Sequence, residues 1–399
     1  MAGLSLVLVA ALAAVWLVQR GGEGDTPTVA LSRPRPDLAT ETLDRLTDAV
    51  AEGRTDPSGL VDVDDPATED WMTGVLGNVG PLRVADFSAR YVDDDPSLTA
   101  TLPRGQWAAA VDMSWRYAGF DRHPAHGEVT MVFTVRDGQA VLVSAGGGER
   151  RTPLWLTGPL EVRRDADSLV AAATPGGVAA YARYARNAVR VVHRVLPRWP
   201  GRLVVEVPRD AGALDELLAA HPGEYANIAA VTTTVDGSTS DTSPVHVFVN
   251  PVVFAGLRPR GAQVVMSHEA THVATEAATS RTPLWLLEGF ADYVALRDVP
   301  IPLSVSAGQI TRQVRRDGAP KQLPGSAEFD TRTTHLGAAY ESAWLACRLL
   351  AEVGGEGSLV SLYRRVSGGQ PLEAPLRAIY GFGTAELTRR WRADLEALG

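Results

Sequence analysis

The sequence predicts an α+β fold, with helices and strands gathered in separate stretches of the chain, and three observations predict it. In the first half, one segment of helical period precedes several long runs of period two. In the second half, a few short apolar runs come first, and from Gly261 onward nearly every segment is helical in period or loop. The 399 residues are 45% hydrophobic and 21% charged, which suffices for buried cores and argues against wholesale disorder. That length makes two domains the natural expectation.

Residues 1–20 differ in character from the rest. No charge occurs from Ala2 to Val18. Such a run, if helical, rises roughly 25 Å, slightly short of the roughly 30 Å hydrocarbon layer, so a tight single span and a signal-peptide core both fit. Trp16 suits an interfacial anchor, and no small-x-small cleavage site follows the run. The reading is an N-terminal membrane anchor holding the bulk of the chain outside the cytoplasm, or a secreted chain if the segment is cleaved. Residues 21–36, "GGEGDTPTVALSRPRP", are rich in Gly and Pro without an apolar period and read as a linker.

Residues 37–160 are expected to form a small α+β accessory domain. Leu38, Leu43, Leu46 and Val50 share one helical face, and "RVADFSARYV", "QWAAAVDMSWRYAG", "GEVTMVFTVRDG" and "QAVLVSAGG" read as strands. Asp137 and Gly138 between two apolar runs signal a hairpin. The order of elements resembles the cone-shaped folds related to nuclear transport factor two, in which a curved sheet wraps a helix, and implies a scaffold. His123 and His126 form a loop pair without a third ligand, and the acidic runs Asp62–Asp65 and Asp93–Asp95 lack calcium-loop spacing.

A boundary is expected between about Trp155 and Pro175, so that 165–399 form the second domain. "GGVAAYARYARNAVRVVHRVL" is helical in period, and "RLVVEVP", "NIAAVTTTVDG" and "PVHVFVN" read as short strands of a small sheet, with "GSTSDTS" a loop between the last two.

The chemistry concentrates in "MSHEATHVAT". On a helix His268 and His272 share one face about 6 Å apart at Cβ and can grip one ion, while Glu269 points away and can reach a water on it. A hydrolytic zinc site wants three protein ligands and an open position, so a third donor is required. "TPLWLLEGFADYVALRDVP" supplies it. Thr282 and Pro283 mark a helix start, Pro300 a stop, and Leu284, Leu287, Ala291, Val294 and Ala295 an apolar face that surrounds Glu288. A carboxylate in such surroundings needs a partner cation. Asp292, one turn further, is placed to accept a hydrogen bond from a ligand histidine.

"HEATH" with "WLLEGFADY", fifteen residues separating His272 from Glu288, resembles the gluzincin zinc metallopeptidases, which include the thermolysin-like enzymes and the aminopeptidase N family. The pattern "WLxEGxAxY" is similar to that of bacterial peptidase-MA-like proteins, and the resemblance covers about residues 175–398. It implies a zincin-like domain with an HExxH helix and a helical C-terminal subdomain, one Zn2+ per chain on His268, His272 and Glu288, Glu269 as general base, and Asp292 behind the ligands. It also implies that Tyr340, at the start of a long helix in "THLGAAYESAWLACRLLAEVGG", donates to the oxyanion, with His335 as the other candidate. In gluzincins a strand upstream of the motif helix pairs with substrate, and "VHVFVN", Val245–Asn250, is expected to be that strand. The Gly-x-Met-Glu-Asn segment of the aminopeptidases is absent, so the implied activity is endopeptidase.

Other chemistries are set aside. A formal charge of −9 without a basic block offers nucleic acid no footprint. Cys347 is the only cysteine, and its apolar helical surroundings predict an inert buried thiol. The sequence therefore predicts a membrane-anchored extracytoplasmic zinc metallopeptidase acting on peptide or protein substrates. The alternative is a membrane-tethered, zinc-containing binding or sensing protein without turnover. Oligomeric state and cleavage preference have no sequence signature here.

Overall fold

A computed structural model of the chain describes residues 34–174, 176–329 and 336–398. The apolar run and most of the linker lie outside them, as does His335, and no helix among the described residues is long and apolar enough to cross a membrane.

The α+β class is what the structure shows. Helix α1, Pro36–Glu52, buries Leu43, Leu46 and Val50 of the face its sequence predicts, with Ala39 buried and Leu38 only half-buried at its start. A second helix that periodicity did not reveal, α2, Pro66–Leu82, follows it. Three glycines and Pro81 give α2 a poor intrinsic propensity, each glycine costing about 1 kcal/mol relative to alanine. Its start is favoured by Pro66 in the first turn and by the Asp65 carboxylate, which accepts from Ala67 N. Its far end is held by Asn78, a buried side chain whose Nδ2 donates to Trp155 O and Gly158 O and whose Oδ1 accepts from Leu160 N.

Strands β1 (Val84–Asp95), β2 (Gln106–Tyr117), β3 (Ala125–Arg136) and β4 (Gln139–Ala145) form an antiparallel meander in chain order. Asp137 and Gly138 turn the β3–β4 hairpin with φ of 50° and 79°, the twist a two-residue hairpin requires. Register shifts in β1 and at the β3–β4 pairing bend this sheet, and α1 packs against β1 and β4.

The second sheet contains β5 (Glu161–Arg164), β6 (Ser168–Ala172), β7 (Leu203–Val207), β8 (Ala230–Thr234) and β9 (Val245–Val249). Their order is β5-β6-β7-β9-β8. Strands β6, β7 and β9 run parallel, and β5 and β8 are antiparallel edges. The β5–β6 hairpin falls in the stretch, Trp155 to Pro175, where the sequence suggests a boundary rather than strands.

Strands β6 and β7 are buried along their whole length because both faces of the sheet are covered. Val170, Ala172, Val205, Val207, Val247 and Val249 face a core built with the later helices. Leu169, Ala171, Val204 and Phe248, the alternate positions, face a core shared with α1, α2 and the first sheet. Each fully buried Val, Leu or Phe side chain among these contributes about 1.5–3 kcal/mol. Glu206 and His246 fall on this second face, where they meet Tyr117 and Asp121 of the first half. His246 Nδ1 lies 2.7 Å from Glu206 Oε1 and Nε2 3.0 Å from Asp121 Oδ1, so the ring donates at both nitrogens and is an imidazolium.

The helices covering the other face are α3 (Val178–Val195), α5 (Pro259–Ala274), α6 (Leu284–Leu296) and α8 (Leu336–Gly354), with α4 (Ala211–Leu218) on the opposite side. Helices α7 (Gly308–Asp317), α9 (Glu356–Ser367), α10 (Glu373–Tyr380) and α11 (Thr384–Leu398) complete the C-terminal part.

Candidate metal centre

Helix α5 begins at Pro259 and buries Ala262, Met266 and Ala270, one turn apart, against the sheet and α3. That anchoring turns the neighbouring face, with His268 and His272, toward α6. Helix α6 buries Trp285, Leu286, Phe290 and Val294, which leaves Glu288 and Asp292 on the side facing α5.

The three predicted ligand atoms meet. His268 Nε2 lies 3.1 Å and His272 Nε2 3.3 Å from Glu288 Oε2, and the two Nε2 atoms are 2.9 Å apart. His268 Nδ1 is 2.7 Å from Asp292 Oδ1 and donates to it, which leaves the Nε2 of a neutral ring as a lone pair directed at Glu288. Two imidazole lone pairs and a carboxylate oxygen repel one another unless a cation stands among them. Zinc bonds of about 2.0–2.1 Å in a tetrahedron put ligand atoms about 3.3 Å apart, and the triangle of 2.9, 3.1 and 3.3 Å fits that set with a fourth vertex open. Among the described residues His272 Nδ1 is buried without a partner, so its ring is held by its place on α5 and by the contacts of Nε2.

Electrostatics follow from the same contacts. Without a cation these acids make His268 hold a proton: burial pulls the imidazole down, but Asp292, Glu288 and Glu269 outweigh it and hold its pKa well above the ordinary value, and a bound cation would take that proton's place at Nε2. Burial raises the Glu288 carboxyl, yet His272 and His268 outweigh that and hold it far below the carboxylate range. For Glu269 burial wins and its pKa is raised, with His268, His272 and the Thr232 hydroxyl offsetting only part.

Two further contacts complete the site. Thr232 Oγ1, on β8, lies 2.7 Å from Glu269 Oε2. Tyr340 stands with its ring 6.0 Å from that of His268, and burial, Glu288, Glu269 and Asp292 push its phenol upward, so it stays a protonated donor. It sits in the second turn of α8, which starts at Leu336, one turn earlier than its sequence reading implied. The approach of α8 to α6 depends on Gly289: a Cβ there would stand 2.3 Å from Ala343 O.

The expected substrate strand is corrected. β9, which contains "VHVFV", is paired on both sides, to β7 and β8, and has no free edge. Of the β8–β9 pair, β8 carries the free edge. Asn250 N donates to Ala229 O and Val235 N to Pro244 O, so the odd-numbered residues bond β9 and the N–H and C=O of Ala230, Thr232 and Thr234 point outward. Thr234 O accepts from Arg151 Nη1, which leaves Ala230 and Thr232 to meet an incoming chain. Thr232 was not singled out from sequence, and "TTT" in a short strand carries no signal that could have done so.

A cleft of about 450 Å³ lies elsewhere, between Phe120–His123, the loop around Trp199, and Arg364 of α9. None of the ligand atoms opens into it, and the convergence of donors rather than volume locates the chemistry.

No family model matches the chain, and no curated protein matches it. Among solved structures, a mutant of a two-domain M1 zinc metallopeptidase bound to L-arginine is similar over 65% of this chain, at 17% identity and a TM-score of 0.37. The chain spans 58% of that protein's length. A likeness of this degree concerns the course of the backbone and carries nothing about the chemistry, which rests on the side chains described above.

Proposed function

We propose that the chain is a zinc-dependent metallopeptidase that acts as an endopeptidase, anchored through residues 1–20 with 37–399 outside the cytoplasm. The observation that supports it most is the meeting of His268, His272 and Glu288 with the Glu269 carboxylate alongside. Those three side chains would hold the zinc, which when bound would supply a water of lowered pKa and a polarised carbonyl. Glu269 takes the water proton and delivers it to the leaving amine. Tyr340 donates to the oxyanion, and the outward groups of Ala230 and Thr232 pair with the substrate backbone. Pairing through backbone groups requires an extended chain and no free terminus, which supports internal cleavage.

The test is Glu269→Gln in the full chain, assayed in detergent with dye-quenched casein. The variant is expected to keep one zinc and lose hydrolysis. Parent-level cleavage by that variant refutes the reading, and a zinc-loaded parent that cuts nothing leaves the binding protein as the better description.

A further inference from the structure

We propose that Thr232 is the positioning residue for the general base, joining the substrate edge to the catalytic carboxylate through one side chain. The inference rests on the peptidase reading and assigns a role within that site.

Thr232 Oγ1 is 2.7 Å from Glu269 Oε2 and 3.3 Å from the Glu269 backbone oxygen. A hydroxyl has one hydrogen, and the shorter contact to a carboxylate takes it. Glu269 is 8% exposed, and Thr232 is the side chain that donates to its carboxylate among the described residues. Oε2 is thereby fixed, and Oε1 remains the acceptor for a water proton. The same residue presents its N–H and C=O on the open edge of β8, because the pairing phase with β9 directs even-numbered residues outward. A backbone paired to β8 and the carboxylate that activates water are therefore linked through the one residue Thr232. Its neighbours Val231 and Thr233 cannot do this, since their backbone groups are committed to β9.

The hydroxyl and the edge separate experimentally. Thr232→Val keeps shape and backbone but removes the hydrogen bond. With dye-quenched casein it is expected to lower kcat about 10- to 100-fold, the cost of a loosely held catalytic group, with KM within about twofold and zinc content unchanged. Thr232→Ser restores the hydroxyl and is expected to return kcat to within about threefold of the parent. Ala230→Pro removes an outward N–H from an edge strand, where proline is tolerated, and is expected to raise KM instead. A readout free of turnover is a thermal melting cycle: Thr232→Val lowers Tm in the parent and leaves it unmoved in a Glu269→Ala background. Parent kcat in Thr232→Val, or equal Tm shifts in both backgrounds, overturns the proposal. A parent that cuts nothing overturns the peptidase reading and the catalytic part of this one, and the melting cycle still decides whether the contact exists.

Discussion

Replacing Gly289 by alanine is expected to destabilise the packing of α6 on α8. The added Cβ would stand 2.3 Å from Ala343 O, 2.6 Å from Ala343 C and 3.0 Å from Cys347 Sγ. Ordinary contact needs about 3.5 Å, so the helices must part by about 1 Å, and the obstacle is backbone that no rotamer change can clear. Overpacking of this kind costs about 1–3 kcal/mol, and the backbone obstacle places this case at the upper end. Alanine returns about 1 kcal/mol through helix propensity. The net loss is about 2 kcal/mol, or about 4–8 °C in Tm for a unit of this size. Differential scanning calorimetry of the zinc-loaded chain measures it. Because α6 carries Glu288 and α8 carries Tyr340, a shift of about 1 Å is also expected to cost about 100-fold in turnover. A Gly289→Ala protein that melts at or above the parent refutes the reasoning, for propensity would then outweigh the clash.

Asp292→Ala removes the acceptor of His268 Nδ1 and is expected to weaken zinc binding about 10- to 100-fold in a competition titration against a chelator; parental affinity would show that Asp292 does not orient the ligand. Tyr340→Phe keeps the ring packing against Phe329 and is expected to lower kcat about 100-fold with little change in KM, and an unchanged kcat would place the oxyanion donor elsewhere. His246 gives a pH dependence. Burial lowers its proton affinity, but Asp121 and Glu206 outweigh this and lift its pKa from 6.5 to about 9, with Tyr117 the other titratable group against the ring. A raised folded value means the folded state holds the proton more tightly, so the stabilisation is fully present below about pH 6.5 and is lost as pH rises through about 9. Urea denaturation across that range should show stability falling, and His246→Gln should flatten the fall; a variant whose profile runs parallel to the parent's would exclude His246 as the cause.

Much of the site is legible because it is local. The spacing of His268, Glu269 and His272 states its geometry once a helix is granted, and Glu288 and Asp292 stand out as acids on an otherwise apolar helix. The hairpin at Asp137 and Gly138 and the buried face of α1 are local in the same sense. Helix α2 is not legible in the sequence because its glycines and Pro81 disfavour it locally, while the bonds that hold Asn78 come from residues about eighty positions away.

By itself, then, the sequence determined the α+β class, the donors and their spacing along two helices, since each depends on a period of a few residues. Only the tertiary structure decided which strand is the edge and which residue steadies Glu269. Strand order depends on which partners pair across long stretches of chain, so β9, the more apolar strand, lies inside the sheet and β8 is left open. Thr232 meets Glu269 across 37 positions of sequence, a distance closed only when α5 packs on the sheet.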